Sequence, residues 1–157
     1  MTSLHKWAKT LEKQLKTIKV GQYSEKQMID LLIDGVSFCQ SICPENDFNS
    51  GELKQSITFN YDKQSRVGYI YSKLPLNRGG VQYLVYLEFG TGIYATNGKG
   101  RQGGWVYKHP KRANEYYFTE GQKPQPIMYT TSEYLKGKVP KGIKVRYIVK
   151  GSDGGIE

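Results

Sequence analysis

The apolar pattern of the chain changes period near residue 57, and few layer architectures accommodate that change. Before it, Leu4, Trp7, Ala8, Leu11, Leu15 and Ile18 recur at spacings of three and four, one face of an α-helix. Thr2 or Ser3 can cap this helix, and Gly21 is a natural stop. A second stripe, Met28, Leu31, Leu32, Val36, Cys39 and Ile42, follows the capping-box pair Ser24 and Gln27, and Pro44 ends it near Cys43. After the loop "CPENDFNSGE" the period is two. There "SITFNY" and "RVGYIYS", joined by "DKQS", predict a β-hairpin rich in β-branched and aromatic residues. Tyr83 to Phe89 is either a short helix or a strand, because a brief apolar run fits both. Further on, "WVYK" and "YYFTE" are short strand candidates. "PIMYTTSEYLKG" predicts a helix with Pro126 in its first turn and Gly137 as its stop, and "IKVRYIVK" alternates as a strand does. The expected fold is α+β, with two N-terminal helices and a later helix packed on a mainly antiparallel β-sheet. One domain is expected over residues 1–150, with 151–157 a flexible C-terminal tail.

The stretch "YLVYLEFGTGIYATNGKGRQGGWVY" holds six glycines between Gly90 and Gly104, and Gly98 to Gly103 spells G-x-G-x-x-G. A dinucleotide fingerprint needs a strand before that motif and a helix opening at its end, because the helix N-terminus holds the pyrophosphate. Here Thr96-Asn97 precede it, and Gly104-Trp105-Val106-Tyr107 run on into His109-Pro110, where no helix can start. The phosphate-loop pattern fails as well. Five residues rather than four separate Gly92 from Gly98-Lys99, and Gly100 stands where a hydroxyl should hold magnesium. The glycines therefore answer to some other demand. Gly90 and Gly92 permit backbone angles closed to other residues, so the chain can turn sharply after Phe89, which would anchor the turn in the core. Glu88 is placed to accept backbone N–H groups or to pair with a basic neighbour. Residues 93–123 then form a long loop or arm, and a connection of that length in a compact domain is usually functional or poorly ordered.

Composition matters chiefly through charge. The net charge is +9 at pH 7, but residues 22–56 hold six acidic and two basic side chains, a net −4 between basic blocks. Residues 91–126 carry six basic and two acidic side chains, a net +4, and the C-terminal block 127–157 is also basic. A dipolar layout suits a protein that meets charged partners, copies of itself included. Cys39 and Cys43, the only cysteines, are expected to be reduced, half-buried thiols. With His5 and His109 distant in sequence, no metal site is expected. Each histidine reads as an exposed or capping imidazole. Asp30 and Asp34, one helical turn apart, have the usual spacing of a solvated face. No arrangement of nucleophile, base and orienting group emerges, so neither an enzyme nor a bound cofactor is expected. No apolar run approaches the ~20 residues of a membrane span, and the N-terminus lacks the apolar core of a secretory signal.

Four elements occur in a fixed order: "SGELKQSI" at Ser50 to Ile57, "EFGTG" at Glu88 to Gly92, "GW" at Gly104-Trp105, and "GQKPQPIM" at Gly121 to Met128 before a helix. In that order and spacing the chain resembles the small neck or tail-completion proteins of tailed bacteriophages, minor tail components that join head and tail. Two positions depart from the family pattern. Ser50 replaces the usual threonine, and Ile127 stands where phenylalanine is usual. The resemblance runs from the first helix to about Lys136 and does not extend past Gly137.

The resemblance implies a virion structural protein at the head–tail neck, made in the bacterial host cytoplasm and working as a homo-oligomeric ring, six-fold or a multiple. Its partners would be copies of itself, the head-closure or connector protein, and the tail terminator or tail tube, with genomic DNA passing through and no membrane involved. The candidate contact surface is Glu88, Phe89, Gly90, Thr91 and Gly92, continued by Tyr94, Trp105 and Tyr107 on the arm. Lys99, Arg101, Lys111 and Arg112 are candidate DNA-facing residues. A rival of another class is a basic nucleic-acid-binding module using those four cations with interleaved tyrosines, and a strongly salt-dependent affinity would mark it.

Overall fold

A computed structural model describes residues 23–45, 51–75, 83–109 and 112–148. The first expected helix with Trp7, the residue His5, Ser50 of "SGELKQSI", Lys111 and the tail at 151–157 lie outside the described residues.

Helix α1 spans Glu25–Ser41, about 25 Å at 1.5 Å per residue. Its start is the capping box read from the sequence. Ser24 Oγ accepts from Gln27 N at 3.2 Å, and Gln27 Oε1 accepts from Ser24 N at 2.9 Å. It ends at Ser41, slightly before the expected boundary, because Pro44 cannot continue it. A short helix, α2 (Glu52–Ser56), occupies what reads in sequence as the end of a loop, its start turned by Gly51 at φ +81°. It leads directly into β1 (Ile57–Asp62), which pairs antiparallel with β2 (Val67–Ser72) in the register Phe59↔Ile70 and Tyr61↔Gly68. The face carrying Ile57, Phe59 and Ile70 turns inward, and Leu32 of α1 packs against Gly68. Val67, Tyr69 and Tyr71 face outward and are exposed.

Tyr83–Phe89 is a helix, α3, which settles the ambiguity of its short apolar run. A 3₁₀ turn at Gly92–Tyr94 follows, then β3 (Trp105–Lys108) and β4 (Tyr116–Thr119), and then helix α4 (Ile127–Lys136) with Pro126 at its N-cap. The core lies where these elements meet. Leu53, Leu87 and Cys39 are fully buried, with Ile57 and Ile127 beside them. Helix α4 is fixed to α1 by a parallel stack of Tyr134 on Phe38, ring centroids 3.9 Å apart, and by Tyr134 and Lys138 both donating to Asp34. The thiols of Cys39 and Cys43 are free and buried, deeper than the half-burial expected from the sequence.

The α+β class holds, but the single expected sheet is two separate antiparallel pairs, β1–β2 and β3–β4. The second pair belongs to the arm. The segment Ile143–Ile148, expected as a strand, keeps its alternation of half-buried and exposed residues yet forms no ladder among the described residues. Its Tyr147 is bonded to Glu88 at 2.8 Å, which ties the segment to the helices instead of to the edge of β2. Segment and strand line a common cleft of about 910 Å³.

Replacing Leu87 by Ala should cost ~2–5 kcal/mol, because a fully buried leucine leaves a cavity in the core shared by α1, α2, β1, α3 and α4. A guanidinium unfolding midpoint matching the parent would show that α3 does not close this core.

Candidate functional site

The glycine-rich loop is built by a meeting of backbones. Leaving α3, the chain takes positive φ at Gly90 (+75°) and Gly92 (+61°) and runs alongside residues 120–125. Thr91 N donates to Gln122 O at 2.8 Å, Ile93 N to Glu120 O at 3.0 Å, and Gln125 N to Leu87 O at 2.7 Å. The Thr91 hydroxyl accepts from Gln122 N at 2.8 Å, and Thr96 returns to Phe89 O at 2.8 Å. At this separation no side chain fits between the strands of backbone. A Cβ on Gly92 would lie 1.9 Å from Glu120 O, and one on Gly121 would lie 2.0 Å from Thr91 O. Together "EFGTG" and "EGQKPQP" form one clasp, and the clasp closes the root of the arm.

Beside it sits Glu88, only 5% exposed. Helix α4 begins at Pro126, which offers no side-chain acceptor to the first N–H groups of the helix. Glu88 supplies it from α3. One carboxylate oxygen accepts from Met128 N, and the other from Tyr129 N at 3.3 Å and from the Tyr147 hydroxyl at 2.8 Å. Burial pushes the carboxyl above its usual range, and the three hydrogen bonds oppose that without cancelling it. Burial likewise pushes the Tyr147 hydroxyl upward, and the Glu88 carboxylate beside it adds to the effect.

The arm itself is a hairpin with Val106↔Phe118 and Tyr107↔Tyr117 in register. Its turn is closed from within. His109 N donates to Glu115 O at 2.9 Å, and the buried His109 Nδ1 accepts from Arg112 N at 3.1 Å, so this imidazole is a capping one. Tyr117 donates to Glu115 at 2.7 Å, and Arg112 lies 3.5 Å from the same carboxylate. One face of the hairpin, Val106, Tyr116 and Phe118, is about two-thirds exposed.

The residues singled out from sequence thus divide. Glu88, Gly90 and Gly92 are buried within one chain, Phe89 and Thr91 are half-buried beside them, and all five belong to the clasp. Tyr94 is exposed, while Trp105 and Tyr107 are half-buried on the arm. Lys99, Arg101 and Arg112 are exposed. Arg101 lies over the Trp105 ring at 5.9 Å near the root, and Arg112 stands at the tip, roughly 13 Å further along four strand residues. Sequence reasoning missed Tyr147, whose alternation marked a strand and not a tether, and missed the outward face of Val106 and Phe118. The alternation of "WVYK" and "YYFTE" carried the second signal.

Burial pushes the Cys39 thiol up to about 11 and the Cys43 thiol upward too, the opposite of an activated nucleophile. Among the described residues no group of three or more His, Cys, Asp or Glu side chains is placed to hold a metal ion, and no helix is long and apolar enough to cross a membrane. No protein-family model matches the chain, and neither the curated proteins nor the solved structures contain a match.

Two outcomes follow from this geometry. Gly92→Ala should cost at least ~3 kcal/mol, whereas Gly98→Ala, with positive φ but nothing within 4 Å of its added Cβ, should cost only ~1–2 kcal/mol. Equal losses in denaturant titrations would mean that backbone angle alone, not close approach, selects the glycines. Glu88 has a folded-state pKa raised above its ordinary 4.5. Its favourable contribution is therefore complete below 4.5 and is lost as pH rises through the raised value. Unfolding free energies measured from neutral pH down toward 4.5 should show the wild type gaining on Glu88→Gln, and a constant gap would contradict the raised pKa.

Proposed function

We propose that the chain is a non-enzymatic structural protein of the phage head–tail junction, assembling as a ring that completes the neck. The observation that carries this is the clasp. "EFGTG" and "GQKPQPIM", two of the four elements on which the family resemblance rests, meet through direct hydrogen bonds between Glu88 and Met128, 40 residues apart, and between Thr91 and Gln122, 31 apart. All of that chemistry is used to hold an arm in place. A carboxylate that caps a helix and glycines that admit a carbonyl are holding devices, and they are in use inside one subunit. The arm they hold presents Val106, Tyr116 and Phe118, side chains of the type that anchor partner surfaces. A nucleic-acid module remains the second proposal, favoured by Arg101 over Trp105 and Lys123 over Tyr94, cation–aromatic pairs on an exposed basic loop.

Deleting the gene should leave DNA packaging and tail-tube polymerisation intact while infectious particles disappear, and electron micrographs of lysates should show separate heads and tails. Gly90→Val with Gly92→Val should give the same phenotype, since valine meets Gln122 O and Glu120 O. Purified protein added to the mutant lysate should restore joining. Normal numbers of joined, infectious particles from the deletion would overturn the proposal, and salt-dependent DNA binding by the purified chain would then favour the second one.

A further inference from the structure

The cleft beside β2 begins where the described chain begins. Tyr23 lines it just before the N-cap of α1, and Arg66, also in its lining, donates to the Tyr23 carbonyl at 3.3 Å. Met28, Leu31 and Leu32 continue the lining along α1, opposite Ile70 and Leu135. Met128 lines it too, and its sulfur accepts from the Cys39 thiol at 3.6 Å. That part of the cleft therefore lies beside the C-terminal half of α1. From Glu25 at the start of α1 to Cys39 is about 21 Å at 1.5 Å per residue, so the cleft is an apolar trough of roughly that length.

The chain itself limits what could cover the trough. Outside the described residues, 46–50, 76–82, 110–111 and 149–157 hold no more than two apolar side chains each. Residues 1–22 hold the stripe Leu4, Trp7, Ala8, Leu11, Leu15 and Ile18. As a helix that stripe is also about 21 Å long. Gly21 stops the predicted helix and Ser24 caps α1, so only Gly21, Gln22 and Tyr23 connect the two. A link that short makes an αα-hairpin, with the helices antiparallel and side by side. Charge agrees. At 100° per residue Lys6, Lys9, Lys13 and Lys16 fall opposite the stripe, away from the lining cations Arg66, Lys144 and Arg146. The negative end of the helix dipole would stand at Gly21, next to the Arg66 guanidinium.

We propose that residues 4–18 form an amphipathic helix that folds back along α1 and fills the cleft of the same chain. Leu15 and Ile18 lie beside Met28 and Leu31, and Leu4 and Trp7 lie towards Met128. The helix covers the outer edge of β2 and replaces an apolar trough with a lysine-bearing surface. This contact belongs to the single subunit and is independent of the neck proposal.

Photo-crosslinking on the full chain tests it. With a benzophenone amino acid in place of Leu11, irradiation of dilute protein should attach the probe to peptides carrying Leu31, Ile70 or Val145. The same probe in place of Lys13 should attach to none of them. Mixing with isotope-labelled chain should show that the links form within one chain. Leu11→Asp with Leu15→Asp should open the cleft. Fluorescence of the apolar-surface dye anilinonaphthalene sulfonate should then rise severalfold over the wild type, and the thermal midpoint should fall by at least about 4 °C. Lys9→Gln with Lys13→Gln should change neither reading. Links from position 11 to other parts of the fold, equal labelling from positions 11 and 13, or no rise in dye fluorescence would overturn the docking. Links found only between chains would overturn it in favour of exchange between copies. The cross-links are read on a chain whose stripe is otherwise intact, so they decide the matter even where the double aspartate variant fails to fold.

Discussion

A single buried carboxylate, Glu88, joins three parts of the chain that share no secondary structure: the end of α3, the first turn of α4, and the extended segment after it. Two effects compete there. The start of α4 is positive and has unsatisfied N–H groups, which favours an anion, while burial disfavours charge. Burial prevails in the balance, so the carboxyl sits above its usual range although three hydrogen bonds reach its two oxygens. Without an acceptor at this point, the Met128 and Tyr129 N–H groups at the start of α4 would lose their partner. Tyr147 would lose the bond that holds its segment. The four residues after Glu88 then continue the same work in backbone form. They lock the returning chain against α3 through hydrogen bonds that leave no room for a Cβ.

The clasp determines what the arm can be. A two-stranded hairpin is marginal in water by itself. This one is pinned at its root by the clasp and closed at its tip by His109, Arg112, Glu115 and Tyr117. The result is a positioned projection whose outward face is apolar and aromatic. Its stability comes from both ends, and none of it from covering Val106, Tyr116 and Phe118, which stay exposed. An arm fixed in this way presents those side chains at a definite angle to any partner, without first losing the conformational freedom of a loose loop.

Most of the helical skeleton was legible in the sequence because its signals are local. Ser24 and Gln27 specify the start of α1 within four residues, and Pro126 with Gly137 brackets α4 almost to the residue. The β1–β2 hairpin followed from alternation alone. Two features were not legible, for different reasons. The five residues of α2 are too few for a periodic pattern, and their start depends on Gly51 taking positive φ. The alternation of Ile143–Ile148 is real, but pairing is decided by where Tyr147 is held, and its partner is 59 residues away. At the site, the demand for glycine at 90 and 92 was readable as a turn. The reason for it, a second backbone arriving from residues 120–122, is a tertiary fact that no local pattern encodes.

The cleft beside β2 has an apolar interior, and cations contribute to its lining. Among the described residues no strand pairs with the outer edge of β2, which lies along the cleft, and open strand edges recruit other strands. Cations placed at such an edge are a common defence, because like charges on a second copy repel it. Arg66, Lys144 and Arg146 are placed to act in this way, since every copy presents the same basic margin.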